Sequence, residues 1–160
     1  MSTPWVIAVG ADKIGYPLKE AIKSALEADA RVVRVIDLGV TDAGDETTYG
    51  HIGIRAGEAI RRGGVNRALL CCGTGLGVAI SANKVPGIRA VVAHDPYSVE
   101  RSVLSNNAQV LCFGSRIIAA ELARKLTQEW LRHEYDPSSP SAAKVAVIED
   151  YELSVAEAVR

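Results

Sequence analysis

Five short apolar runs recur along this 160-residue chain, at Trp5–Gly10, Val32–Leu38, Arg67–Cys72, Arg89–Ala93 and Gln109–Phe113. Each is followed by a segment with helical spacing, such as Leu18, Ile22 and Leu26 after the first and Ile118, Leu122 and Leu126 after the last. This alternation constrains the fold more than any other feature. Strands buried on both faces read as unbroken Val/Ile/Leu runs, and parallel neighbours must be joined by right-handed helical crossovers. The predicted fold class is therefore α/β: a doubly wound, five-stranded parallel sheet with helices on both faces, Rossmann-like, plus a C-terminal helix. Aromatic residues make up only 5% of the chain, with a single Phe, so the core must be built from small aliphatic side chains, as helix-on-sheet packing allows.

The length argues for one domain. Asp136-Pro137-Ser138-Ser139-Pro140-Ser141 breaks the rhythm as a turn-rich linker whose prolines stop the preceding helix. Residues 1–135 are thus read as the α/β body, and 136–160 as a linker and terminal helix of the same domain. That helix is expected over Ala142–Val159, with Ser141 as N-cap and Val145, Ile148 and Leu153 on its apolar side. Two placements stay open for it: docking on its own sheet, or reaching a partner subunit.

Lys and Arg number 18 against 19 Asp and Glu, a net charge of −1, which gives no footprint for nucleic acid or an acidic membrane surface. No apolar run approaches the roughly 18 residues of a membrane span. The opening Met1-Ser2-Thr3-Pro4-Trp5 lacks a basic region followed by an apolar one, and three cysteines are too few for a disulfide framework. The chain is expected in the cytoplasm with reduced thiols and a small-molecule ligand.

The densest chemical feature is Cys71-Cys72-Gly73-Thr74-Gly75-Leu76-Gly77, which ends the third strand and opens a helix. Glycines let the backbone turn sharply, and successive N–H groups there can face an anion. The pattern is neither the dinucleotide fingerprint, which belongs after the first strand, nor a P-loop, since no Gly-Lys-Ser/Thr follows. A plain strand-to-helix turn would also need small residues. Cys72 sharpens the signal, because ligands of such sheets bind at the carboxyl ends of the strands. Cys71 should point the opposite way into helix packing, and Cys112 should be a core cysteine. Asp12 and Lys13, at the end of the first strand, should project from the same edge as Cys72. By itself Asp12 reads first as a helix N-cap, and Lys13 is also readable as a solvated charge; the case for a site rests on both converging with the glycine loop. His133 reads as a cap at a helix C-terminus. His51 is either exposed or near the site, and His94, ending the fourth strand, is either structural or behind the site. No metal site is indicated.

Together these residues resemble the ribose-5-phosphate isomerase B / galactose-6-phosphate isomerase family of aldose–ketose isomerases. The resemblance spans roughly residues 5–135. It rests on Gly10-Ala11-Asp12…Gly15-Tyr16-x-Leu18-Lys19-Glu20, on Cys72-Gly73-Thr74-Gly75-x-Gly77 and on Ala82-Asn83-Lys84-Val85-x-Gly87-Ile88-Arg89-Ala90. His94-Asp95-Pro96-Tyr97-Ser98, Asn106-Asn107-Ala108 and Gly114-Ser115-Arg116 extend it. It implies a reaction through a cis-enediol(ate) without metal or cofactor, in a homodimer or homotetramer with sites at subunit interfaces. The base in this family is either the loop cysteine or a glutamate just beyond it. Val78 holds the glutamate position here, which leaves Cys72 as the matching base. Thr74 would relay protons, Asp12 would orient substrate hydroxyls, and the amides of Gly73, Gly75 and Gly77 would hold the enediolate oxygen.

Three departures bear on the substrate. Lys13 stands where the family has a histidine, and the two arginines of the family's C-terminal segment are absent, with Lys144 near the second. The implied phosphate grip is Lys13, Arg116 and Lys144. Ser105 stands where pentose-phosphate members carry the histidine assigned to opening the furanose ring, beside a retained Asn106. Ser105 and the Ser-Pro-Ser-Ala-Ala-Lys segment are similar to the tetrulose-phosphate isomerases, which implies D-erythrulose 4-phosphate and D-erythrose 4-phosphate as the pair interconverted. A type B ribose-5-phosphate isomerase and a non-catalytic sugar-phosphate-binding subunit are the alternatives. Tyr49, His51, His94 and Ser105 stand near the implied site with no role fixed.

Overall fold

The computed structural model describes residues 4–158. The leader reading, over Met1–Thr3, and the expected helix end at Val159 lie outside the described residues. Strands β1 (Trp5–Ala11), β2 (Val32–Asp37), β3 (Arg67–Cys72), β4 (Ala90–Val92) and β5 (Val110–Gly114) alternate with helices α1 (Tyr16–Glu27), α2 (Tyr49–Arg61), α3 (Leu76–Ala82), α4 (Pro96–Leu104) and α5 (Ala120–Trp130). Helix α6 (Ala142–Ala158) closes the described chain. All paired strands are parallel, in the order β2-β1-β3-β5-β4. The doubly wound five-stranded α/β sheet is thus the observed fold.

The pleat of the strands splits the core in two. On one face Ile7, Val9, Leu69, Cys71, Leu111 and Phe113 meet α1, α4 and α5 through Leu18, Ile22, Val99, Val103, Leu126 and Trp130. On the other, Ala8, Ala68, Leu70, Cys72, Val110 and Cys112 meet α2 and α3 through Ile52, Ala56, Val78 and Ala82. Adjacent Cys71 and Cys72 therefore lie in different cores, as the strand period requires. Burial raises the Cys71 and Cys112 thiols well above the ordinary range, so both stay protonated packing groups.

Three differences from the sequence reading have physical reasons. Strand β4 is shorter than Arg89–Ala93 because Arg89 is tied sideways, its N–H to the Gln109 side chain and its guanidinium to the Asn107 carbonyl. His133 is no C-terminal cap; its Nε2 meets Glu129 Oε1 one turn back at 3.0 Å. Helix α6 buries Val145 alone, while Ile148 and Leu153 are 51% and 62% exposed. Its apolar residues are spread around the whole helix, so this chain covers no single apolar face of it.

One buried charge pins the rim near the site. Lys19 is fully buried on α1 and donates to both oxygens of Asp37, at 2.9 and 2.8 Å, and to the Val40 carbonyl. Asp37 also accepts from Lys23 and from the Gly39 N–H. The Gly39-Val40 segment then pairs with Ala11 through both backbone groups, just before Asp12.

Candidate active site

The strand order turns back between β1 and β3, and the carboxyl ends of those strands frame a crevice, the expected ligand position in an open parallel sheet. An open cleft of about 420 Å3 lies there, lined by Asp12, Ile14, Tyr49, Cys72, Gly73, Thr74, Gly77, Ile80 and Arg116. Cys72 forms its floor, only 4% exposed, while Thr74 and Arg116 stand exposed at its rim.

The loop holding Cys72 is built from close backbone approaches. Gly75 adopts φ +81°, a conformation that a side chain would strain, and its N–H points back to donate to Cys72 Sγ at 3.1 Å. The sulfur therefore has a donor in place when it carries negative charge. Gly114, ending β5, lies so close beneath Thr74 that a Cβ there would sit 2.6–2.7 Å from Thr74 backbone atoms. The turn after it is stitched to the loop, Ser115 N–H donating to the Cys72 carbonyl at 2.9 Å and Arg116 N–H to the Gly73 carbonyl at 3.0 Å. The Thr74 hydroxyl accepts from the Leu76 N–H at 3.3 Å and keeps its own proton to donate.

The other walls come from three elements. Asp12 Oδ1 accepts the Gly15 N–H at 2.9 Å, which shapes the turn into α1, and the residue lines the cleft beside Ile14. The N-cap of α1 is Gly15 and has no side-chain cap, so Asp12 braces the turn before the helix rather than capping it. Tyr49, the first residue of α2, covers Gly77 with its half-exposed ring. Val78 is fully buried on the inner side of α3.

Not every expected residue arrives here. Lys13 turns into a neighbouring hollow beside Glu46 and Tyr49, and its ammonium pairs with Glu46 at 2.6 Å. Arg116 carries no ion pair among the described residues, so the cleft's guanidinium is free for an anion. His51 is exposed, its Nδ1 3.1 Å from Thr48 Oγ1, and does not line the cleft. Nε2 of His94 accepts the Gly114 N–H at 3.0 Å, behind the loop. Ser105 and Asn106 sit at the far edge: α4 runs back from the end of β4, and neighbouring Asn107 lines a hollow with Trp5 and Arg67, which begin strands. The length of a six-residue strand, roughly 16 Å, separates that edge from Cys72. Ser105 Oγ accepts from Arg101 Nε at 2.9 Å. Lys144, exposed in the first turn of α6, is also off the cleft; α6 is tied near the start of β4 by Glu149 to Arg89 and by Glu152 to the Gly87 N–H.

Sequence reasoning passed over Ile14, Ile80 and Glu46. The two isoleucines read as ordinary packing residues, and nothing local announces that Glu46 will meet Lys13 from 33 positions away. Among the described residues, no group of three or more His, Cys, Asp or Glu side chains is placed to hold a metal ion.

A family profile described as ribose/galactose isomerase matches residues 7–148. The chain is similar to D-erythrulose-4-phosphate isomerase 2 of Mycolicibacterium smegmatis, 59% identical over 146 residues, which cover 91% of this chain and 96% of that one. It is 42% identical over 130 residues to ribose-5-phosphate isomerase B of Escherichia coli, covering 81% and 85% of the two chains. The solved structure of ribose-5-phosphate isomerase B from Clostridium thermocellum superposes with a TM-score of 0.87 at 35% identity, covering 94% of this chain and 99% of that one.

Proposed function

The chain belongs to the ribose/galactose isomerase family, and from that premise we propose that it interconverts an aldose phosphate and its ketose, with D-erythrulose 4-phosphate and D-erythrose 4-phosphate as the preferred pair. The observation that carries the reading is the Cys72 sulfur on the cleft floor with the Gly75 N–H aimed at it. As thiolate, Cys72 takes the proton from the carbon beside the carbonyl, and the electron pair moves into a cis-enediolate. The thiol then returns that proton to the neighbouring carbon, while the Thr74 hydroxyl passes a proton between the two oxygens. Backbone N–H groups of Gly73–Gly77 stabilise the oxyanion, and Asp12 orients substrate hydroxyls.

The free guanidinium of Arg116 supports its role as the phosphate anchor of this chain's cleft. Lys13, paired with Glu46, contributes less than a bare cation would. Replacing Arg116 by Ala is expected to raise KM about 10–100-fold, the value of one or two charge-assisted hydrogen bonds, with kcat changed far less. Inhibition by inorganic phosphate should weaken in parallel. A KM unchanged in that variant moves the phosphate elsewhere.

Asn106, Ser105 and Lys144 enter the reading as contributions from a second copy of the chain, since each lies off the cleft of its own. Exposed Leu76 and Ile80 on α3, beside the cleft, and exposed Val147, Ile148 and Tyr151 on α6 support such an assembly. A tetrose 4-phosphate cannot close a furanose through its phosphorylated oxygen, so its site has no use for a ring-opening imidazole. Ser105 in that position fits this substrate. So does the engagement of His94 behind the loop, with His51 not among the residues that line the cleft. The test is kcat/KM on D-erythrulose 4-phosphate and D-erythrose 4-phosphate against ribose 5-phosphate. The tetrose pair is expected to give the higher value, and a clear preference for ribose 5-phosphate overturns the substrate assignment in favour of the pentose enzyme.

A further inference from the structure

His94 does not line the cleft, yet it holds a backbone group on which the cleft is built. Its Nε2 accepts the Gly114 N–H at 3.0 Å, and its ring stacks on Phe113, with centroids 5.9 Å apart and planes 27° from parallel. An imidazole that accepts at Nε2 carries its proton on Nδ1, as a neutral ring does. Desolvation lowers the pKa of His94 from the ordinary histidine value, against the opposing pull of Asp95, which favours that neutral form.

Gly114 is the contact point between β5 and the Cys72 loop. Thr74 rests on it with no room for a Cβ, and Gly75 in turn lies against the Phe113 carbonyl carbon and Gly114 nitrogen. The next two residues bind the carbonyls of Cys72 and Gly73. Moving the Gly114 peptide therefore moves the loop whose Gly75 N–H meets the sulfur. A shift of about 1 Å at a reacting group can cost on the order of a hundredfold in rate.

We propose that His94 is a positioning residue of the reaction: by accepting the Gly114 N–H it fixes the β5 turn that sets the glycine loop, and through it the sulfur of Cys72 and the amides facing the enediolate. The proposal rests on the isomerase reading above. It assigns His94 no contact with substrate, and it predicts an effect on turnover rather than on binding.

The acceptor can be separated from the ring. His94→Phe keeps the bulk and the stacking on Phe113 but leaves the Gly114 N–H without a partner. His94→Gln places an amide oxygen near the position of Nε2. In His94→Phe, kcat on the better of the tetrose phosphates is expected to fall about 10–100-fold with KM within about twofold. Backbone amides of Gly73–Gly75 should exchange with solvent faster while the melting temperature stays within a few degrees. His94→Gln is expected to recover most of kcat and the slow exchange. Equal losses in both variants, or no loss in either, overturn the proposal, the first by showing that ring packing is what matters. Wild-type protein inactive on all the sugar phosphates faults the isomerase reading instead, and amide exchange in the two variants then decides the positioning claim by itself.

Discussion

Cys72→Ala is expected to lower kcat by about 10²–10⁴-fold or more, the usual cost of removing a proton-transfer group, while KM and inhibition by inorganic phosphate stay near their wild-type values. The family's alternative glutamate base cannot take over, because its position is Val78, fully buried on the inner side of α3. Cys71→Ala is the control. One residue away but in the opposite core, it should alter stability more than turnover. Near-normal turnover in Cys72→Ala removes the thiol from the mechanism, and equal losses in both variants point to packing. The same variant tests the assembly. If a second copy supplies Asn106, then mixing inactive Cys72→Ala with Asn106→Ala protein under conditions that exchange subunits should restore activity. No recovery after verified exchange overturns the shared site.

The second large effect is on stability. Burial by itself would raise the Asp37 carboxyl, but hydrogen bonds from Lys19, the Gly39 N–H and Lys23 outweigh it and hold the group below its ordinary value. Lys19→Met, close in shape, removes the central partner and leaves the carboxylate with Lys23 and one amide. The expected cost is about 3 kcal/mol, near the lower end for breaking a buried pair because those two partners remain. A carboxyl whose folded pKa is depressed stabilises the protein above the unfolded value of 3.8, and that stability drains as pH falls through the lower folded value. The gap between wild type and Lys19→Met should therefore be full at pH 7 and shrink below about pH 4 in urea unfolding. A gap independent of pH would mean that Lys19 acts by packing alone. A gain in stability would mean that its desolvation outweighs its attraction to Asp37.

The sheet was legible because its inner strands are covered on both faces, which writes them as uninterrupted apolar runs such as Ala68–Cys72. The glycine loop was legible because Gly75, at φ +81° against the Phe113 and Gly114 backbone, and Gly77, under the Tyr49 ring, admit no side chain. The partners of charges were not. Nothing local to Lys19 on α1 announces its burial, yet it is fully buried because Asp37, at the end of β2, waits beneath it. Nothing in the sequence around Lys13, a solvated charge or a phosphate ligand by its residue type, announces its ion pair with Glu46, 33 positions away. The far-edge position of Ser105 and Asn106 follows from topology, since a crossover helix must return to the start of the next strand. That separation is why the proposed site draws them from a second copy.

The division of the core by the pleat of β3 has a genetic consequence. Substituting one apolar side chain for another at Leu69 or Leu70 changes volume and little else. Gain or loss of a single codon within the stretch encoding Arg67–Leu70 is a different kind of event. It inverts the facing of every residue on one side of the lesion, so either the two cores exchange side chains or Cys72 leaves the cleft. Spelling in this strand can drift, whereas its length is fixed. A library of single-codon deletions and insertions across positions 67–70 should therefore yield far fewer folded, active clones than an equally large library of apolar substitutions there.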